Sequence, residues 1–198
     1  MITGVILAGG AASRMGGGDK CLLPLGGQTL LAGIIARLAP QVDRVVLNAN
    51  DDPARFAGFG VSVVPDSLPD RPGPLAGVLA GMETAAPGHV VTVAGDTPHF
   101  PTDLVAGLRA ALGPGHPIAL AASPNARRGW GLHPTFGLWP TDLAADLRAA
   151  LQAGTRKVVI WAERHGFAEA RFPASDGDPF FNINTPEDLA AAQARLAP

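Results

Sequence analysis

Gly4-Val5-Ile6-Leu7-Ala8 is a short apolar run that leads directly into Gly9-Gly10-Ala11-Ala12-Ser13-Arg14-Met15-Gly16-Gly17-Gly18-Asp19-Lys20. The first five residues read as a buried strand, and the glycines that follow read as a loop at its carboxyl end. Five glycines in one strand-following loop let backbone N–H groups turn toward a common concavity, which suits an anion. Arg14 and Lys20 add two cations able to neutralise a polyphosphate. The alternative is a plain turn carrying two solvated cations. The segment is not a Walker A loop, because Lys20 lies between Asp19 and Cys21, and it contains no GxGxxG at dinucleotide-fold spacing.

Working outward, apolar runs alternate with helical spacing. Leu30, Leu31, Ile34, Ile35 and Leu38 predict a helix over 29–39, and Leu75, Val78, Leu79 and Met82 predict a second. Leu104 and Leu108, with Thr102 as cap, predict a third, and Leu143, Leu147 and Leu151, opened by Thr141, a fourth. Thr185-Pro186-Glu187-Asp188 supplies a cap, a first-turn proline and acids at the positive dipole end, so it opens the last helix. Strands are expected at 44–48, 61–64, 89–94, 118–121, 135–138 and 167–172. Strands without period-2 polarity between helices predict an α/β fold with three layers: a mostly parallel sheet with helices on both faces. Ligands of such sheets bind beyond the carboxyl ends of strands. That rule selects residues 9–20, 48–50, 66–77 and Asp96.

Composition narrows the function. The 198 residues carry 15 Lys+Arg and 17 Asp+Glu, a net charge of −2 without basic clusters, which argues against nucleic-acid or anionic-membrane binding. A single cysteine, Cys21, excludes an internal disulfide framework or multi-cysteine zinc site. No apolar run approaches a membrane span, and no signal peptide is recognisable, so a soluble cytoplasmic protein is expected. The 25 glycines and 19 prolines fall mostly between periodic segments, with no repeat or linker, so residues 1–198 read as one domain.

Several residues suggest chemistry independently. Asp96 ends an apolar strand on the edge that carries the glycine loop; a carboxylate beside phosphates suits Mg²⁺, although capping the next helix is the alternative. Asn182 and Asn184, two apart in an extended segment, present amide oxygens to one face, or are turn residues before a capped helix. Asp66, after Pro65, reads equally as a turn acid. Gly73-Pro74-Leu75-Ala76-Gly77 opens a helix whose N–H groups suit a phosphate or ribose. Arg127, Arg128, Trp130 and His133 form a cationic and aromatic cluster, or else a solvated loop.

Leu7-Ala8-Gly9-Gly10-x-x-x-Arg14-Met15-Gly16-x-x-Asp19-Lys20 resembles the signature of the molybdenum cofactor guanylyltransferase family. The resemblance continues in order through Asn48-Ala49-Asn50, Asp66-Ser67-Leu68, Pro72-Gly73-Pro74-Leu75-Ala76-Gly77, Gly95-Asp96-Thr97-Pro98, His133-Pro134-Thr135 and Asn182-Ile183-Asn184-Thr185-Pro186-Glu187-Asp188-Leu189. It implies a Rossmann-like nucleotidyltransferase fold and transfer of GMP from GTP to molybdenum-molybdopterin, giving the guanine dinucleotide cofactor and pyrophosphate. It further implies Arg14, Lys20 and Asp96 as catalytic residues. Leu7, Ala8, Gly9, Gly10, Lys20, Asn48, Asp66, Pro74, Leu75, Gly77 and Asp96 would bind the nucleotide, with Asp66 and the Asn48 amide reading the guanine edge. Asp96, Asn182 and Asn184 would hold Mg²⁺, with Mn²⁺ equally suited to hard oxygen ligands. Arg127, Arg128, Trp130 and His133 would meet the pterin. Cofactor-insertion and delivery proteins would be transient partners.

Three rivals remain at this point. A molybdopterin cytidylyltransferase is the nearest, although such relatives typically carry Leu-Ala-Ala-Gly and Asp-Gln-Pro where this chain has Leu7-Ala8-Gly9-Gly10 and Asp96-Thr97-Pro98. A sugar-phosphate nucleotidyltransferase is generally longer. A non-catalytic nucleotide-binding module is the third.

Overall fold

Ile2–Leu7 (β1) forms the predicted first strand, and every residue from Thr3 to Ile6 is buried. The computed structural model describes residues 1–8, 20–69, 73–125, 127, 129–175 and 177–195. The expectations for Gly9, Gly10, Arg14 and Arg128 lie outside the described residues.

After a small hairpin of Pro24–Leu25 (β2) and Gln28–Thr29 (β3), the chain enters helix Leu30–Leu38 (α1), whose first turn Thr29 caps by accepting from the Ala32 N–H. Arg44–Asn48 (β4), Ser62–Val64 (β5), helix Pro74–Thr84 (α2) and His89–Ala94 (β6) follow, each where apolar spacing places it. Next come helix Leu104–Ala111 (α3), strands Ile118–Asn125 (β7) and Gly129–Pro140 (β8), helices Ala144–Gln152 (α4) and Val158–His165 (α5), strand Phe167–Arg171 (β9) and helix Pro186–Ala194 (α6).

The seven-stranded sheet has the order β5-β4-β1-β6-β8-β7-β9. β8 pairs antiparallel with both β6 and β7, while the remaining pairings are parallel, so β8 alone is reversed. The predicted mostly parallel sheet is therefore present. Leu31, Ile34 and Leu38 of α1 and Leu104, Val105 and Leu108 of α3 fill the core on one face. Leu75, Val78, Leu79 and Met82 of α2, with Leu147 and Leu151 of α4 and Trp161 of α5, fill the other. A third, smaller core joins Leu25 and Leu30 to Ile183 and Ala192, so α6 packs on the β2–β3 hairpin instead of on the large sheet.

Three local readings are corrected. Asp103, not Thr102, stands at the N-cap of α3, and its side chain makes no capping bond; the Val105 N–H of the first turn donates instead to Gln41 Oε1 at 3.1 Å. Thr141 opens a short 3-10 turn before α4; its hydroxyl is shared between the N–H and the carbonyl of Gly88, fastening the start of β6 to the end of β8. The expected strand over 135–138 extends across 129–140, and its register jumps from Leu120↔Gly137 to Ala121↔His133. Pro134 falls in that irregularity, where a residue lacking an N–H costs no ladder bond.

Trp139 is fully buried beside Trp161, and its indole Nε1–H donates to the equally buried Thr92 hydroxyl at 2.9 Å. Trp139→Ala should cost about 3–5 kcal/mol of stability in urea titration, and Trp139→Phe about 1–3 kcal/mol, because it keeps most apolar contact but orphans Thr92.

Candidate active site

The exits of the three central strands are bonded to each other. The Ala8 N–H donates to the Asn48 carbonyl at 2.9 Å, and the Gly95 N–H donates to the Leu7 carbonyl at 2.9 Å. Side chains following β1, β4, β5 and β6 thus share one edge, the location that strand order and connection predict for a ligand.

Asp96 follows β6 directly. Its Oδ2 accepts from Lys20 Nζ at 2.8 Å, and the same ammonium donates to Asn184 Oδ1 at 2.7 Å. Both partners of the ion pair are largely shielded, with side-chain exposures of 14% for Lys20 and 24% for Asp96. Lys20, Asp96 and Asn184 therefore meet although they come from three distant parts of the chain.

The Asn182-Ile183-Asn184 segment is placed by its middle residue. Ile183 is fully buried in the third core and donates its N–H to the Asp96 carbonyl at 2.9 Å, while both asparagines face outward. The capping box at Thr185 and Asp188 fixes the far end of the segment. Asp188 accepts from the N–H of Asn184 and of Thr185, both at 2.9 Å, and the Asn184 N–H above all holds its carboxyl below the usual range. The two asparagines divide their work: Asn184 meets Lys20, whereas Asn182 Oδ1 accepts from the buried Thr97 hydroxyl at 2.7 Å. Thr97 also lies 3.1 Å from Asp96 Oδ1. Asn182 thus supports the Asp96 turn through Thr97. Asp96 does not cap α3, which begins at Leu104.

Beyond β4 and β5 a second group forms. Asn48 Nδ2 donates one hydrogen to the Val64 carbonyl at 3.1 Å and the other to Asp66 Oδ1 at 2.9 Å. Asn50 Nδ2 donates to Asp66 Oδ2 at 2.8 Å, and Asn50 Oδ1 accepts from the Asp66 N–H at 2.8 Å. Asp66 is therefore a held carboxylate and not a loose turn acid. The expectation that the Asn48 amide donates to a base is corrected, because both its hydrogens are engaged and the residue is only 4% exposed.

Gly73 sits at φ 82° before Pro74, a left-handed conformation that glycine adopts without strain. Gly77 makes room for Asn48: a Cβ there would stand 2.3 Å from Asn48 Oδ1 and 2.6 Å from a Leu7 methyl. Leu75 is fully buried in the core, so only its backbone can reach a nucleotide.

Of the residues expected at the pterin, the three that are described, Arg127, Trp130 and His133, are not one cluster. Trp130 and His133 stand three apart in β8 and face opposite sides of the sheet. Trp130 lies under the Arg171 guanidinium, 5.2 Å from the ring centre, and Arg127 is exposed in the β7–β8 connection. His133 stacks on Phe180 with ring centres 4.4 Å apart, and its Nε2 lies 2.7 Å from the hydroxyl of Ser123, itself 3% exposed. Ser123 donates to Asp178 Oδ1 at 3.1 Å, so His133 supplies its Nε2 hydrogen to Ser123. Burial pushes the His133 imidazole below its ordinary pKa, against the opposing pull of Asp178.

Sequence reasoning quoted Asn50 and Thr97 within its motifs but gave neither a role of its own. Each was within reach: Asn50 is two beyond Asn48, the spacing that returns a side chain to the same face, and Thr97 adjoins Asp96.

Among the described residues no group of three or more His, Cys, Asp or Glu is placed to hold a metal ion. One carboxylate among amide oxygens is nevertheless a donor set of hard ligands, and Mg²⁺ is commonly held in that way together with substrate phosphates. The residues fit such an ion.

Comparison with known proteins shows the family. The family described as MobA-like NTP transferase domain matches residues 4–166. The molybdenum cofactor guanylyltransferase of Mesorhizobium japonicum is 50% identical over 98% of this chain and 95% of its own length, and that of a Bradyrhizobium species is 50% identical over 99% and 93%. Among solved structures, molybdopterin-guanine dinucleotide biosynthesis protein A of Archaeoglobus fulgidus superposes with a TM-score of 0.71 at 22% identity, covering 97% of each chain. The 4-diphosphocytidyl-2C-methyl-D-erythritolsynthase of Anaerococcus prevotii does so with a TM-score of 0.76 at 16% identity over 99% of this chain and 96% of its own; at such identities the likeness shows the fold.

Two outcomes follow from the packing. Gly77→Ala should displace the Asn48 amide and lower stability by about 1–3 kcal/mol in denaturant titration. His133, His89 and His99 all have pKa values lowered first by burial, so the unfolded chain takes up their protons first. Stability should hold above about pH 6.5 and fall as pH drops through the window between that value and the lower folded values; His133→Gln should make urea midpoints at pH 8 and 5.5 differ less.

With motif order, sheet topology and near-full-length identity in agreement, the chain belongs to the MobA-like NTP transferase family, among the molybdenum cofactor guanylyltransferases.

Proposed function

We infer that this chain transfers GMP from GTP to molybdenum-molybdopterin, forming the guanine dinucleotide cofactor and releasing pyrophosphate. The observation that carries the reading is the meeting of Lys20, Asp96 and Asn184 at the sheet edge that also holds the Asp66 carboxylate, in a chain 50% identical to proteins named for that reaction. The names of these relatives favour GTP over CTP as nucleotide.

The terminal phosphate of the pterin attacks the α-phosphorus of GTP in line. A new phosphorus–oxygen bond forms as the bond to the β-phosphate oxygen breaks, and pyrophosphate departs with that electron pair. The acceptor phosphate is already ionised, so no protein nucleophile is required. Catalysis then rests on positioning and on charge stabilisation. Lys20 Nζ, fixed between two oxygens, carries the positive charge that meets the polyphosphate, and Arg14 together with the N–H groups of Gly9 and Gly10 complete that role. The backbone at Leu7 and Ala8 lies along the base, while Pro74 and Leu75 offer the α2 N-terminus to phosphate or ribose. Asp66 accepts from the guanine edge. Asp96 and Asn184 would hold Mg²⁺, with Asn182 holding the Asp96 turn through Thr97. Bound there, the ion would neutralise phosphate charge. Mn²⁺ fits the same oxygens. His133, next to the Phe180–Asn184 stretch, marks the flank where the pterin docks, and Arg127 and Arg128 are the further residues proposed to meet it; Trp130, on the opposite face, is not.

Among the described residues no helix is long and apolar enough to cross a membrane. A cytoplasmic site of action, one catalytic domain over 1–198 and transient handover to cofactor-insertion proteins complete the reading.

Lys20→Ala and Asp96→Ala should each lower turnover by about two orders of magnitude or more, on the scale of removing one preorganised donor from a charge-stabilising site. The assay is pyrophosphate and dinucleotide release from each of the four NTPs with Mg²⁺ and molybdenum-loaded molybdopterin. Product with GTP alone supports the reaction and the base site; product with CTP overturns the base site, and near-normal turnover by either variant overturns the mechanism.

A further inference from the structure

Asp66 is gripped from both sides, but its two partners are not equivalent. Asn48 has both amide hydrogens engaged, on the Val64 carbonyl and on Asp66 Oδ1, and lies buried with its Oδ1 against Gly77. Asn50 uses one amide hydrogen on Asp66 Oδ2 and takes the Asp66 N–H on its own Oδ1. This reciprocal pair fixes which end of the amide is nitrogen, since the carboxylate can only accept and the N–H can only donate. The second hydrogen of Asn50 Nδ2 has no partner among the described residues. Asn50 and Asp66 are also both half-buried and so reachable, unlike Asn48.

The polar atoms Asp66 Oδ1, Asp66 Oδ2 and Asn50 Nδ2 therefore make a row of acceptor, acceptor and donor, with 2.8 Å between the last two. Guanine presents the complementary row along its edge: the N2 amine and N1–H donate, and O6 accepts. Adenine sets an acceptor at N1 and a donor at its 6-amine, so lone pair would face lone pair at Oδ2 and hydrogen would face hydrogen at Asn50. Cytosine fails at its N3 acceptor for the same reason. A buried polar group left facing its own kind costs more than a matched pair gains, which is how such rows discriminate.

We propose that Asn50 is a specificity-determining residue, its second Nδ2 hydrogen donating to guanine O6 while Asp66 accepts from N1–H and the N2 amine. This rests on Asp66 being the base acceptor. Asn50 thus has two duties, to aim the carboxylate and to complete the row, and only the second depends on O6.

Two analogues separate those duties. Inosine triphosphate lacks the N2 amine and retains O6; 6-thioguanosine triphosphate retains N1–H and the amine but replaces O6 with a weakly accepting sulfur. In the wild type each should show kcat/KM about tenfold below that of GTP, the scale of one hydrogen bond. Asn50→Ala should lower GTP about tenfold relative to the thio analogue, so that the wild-type preference for GTP over the thio analogue is lost. If the variant instead weakens GTP and the thio analogue by the same factor, Asn50 only aims Asp66 and the proposal is overturned. Calorimetry on the wild type needs no variant: equal affinity for GTP and its thio analogue overturns the proposal, and weaker thio binding supports it. A separate variant, Asp66→Ala, tests the underlying reading. If it leaves the GTP-to-inosine ratio untouched, the base binds elsewhere, and that failure is distinct from loss of the Asn50 role alone.

Discussion

The carbonyl of Asp96 accepting the Ile183 N–H is the contact on which the meeting of Lys20, Asp96 and Asn184 depends. Asp96 arrives at the end of a buried parallel strand, so its position is fixed by the sheet. Asn184 arrives on an irregular segment with no ladder to hold it. Burying Ile183 in the small core and bonding its N–H to the Asp96 carbonyl converts that irregular segment into a rigid extension of the sheet edge. Capping α6 through Thr185 and Asp188 removes the remaining freedom, because the capping carboxylate also holds the Asn184 N–H. Lys20 can then bridge Asp96 and Asn184 with short, directed bonds.

The same device recurs at the other end of the edge. Asp66 stands two residues beyond a three-residue strand, in a loop that would leave a lone carboxylate free to turn. Asn48 and Asn50 grip it from the neighbouring strand exit, and Gly77 gives Asn48 the room to do so. In both places a charged group at the sheet edge is oriented by neutral amides and hydroxyls around it. Orientation before binding matters here because transfer between two phosphates draws on placement and charge, not on a protein nucleophile.

His133 shows how far the support extends. Its ring stacks on Phe180 and bonds to Ser123, which bonds to Asp178, so β7, β8 and the stretch leading to Asn182 are joined through one neutral imidazole. Burial keeps that imidazole neutral toward lower pH than usual. Trp130, three residues earlier in the strand, belongs to the opposite face.

Much of this was legible in the sequence. Apolar runs and helical spacing are local properties, so β1, β4, β6, α1 and α2 lie where their residues place them, and a parallel sheet fixes the edge at which Asp66, Asp96 and Lys20 must gather. Strand reversal at β8, the register jump beside Pro134 and the packing of α6 on the β2–β3 hairpin were not legible, since each depends on which distant surface an element meets. The separate roles of Asn182 and Asn184 and the closure of Asn48's amide belong to the same class. Amino-acid type and spacing determined which groups could act and at which edge; only tertiary structure decided which of their hydrogens and lone pairs remained available, because a hydrogen bond within the fold removes a donor from any ligand.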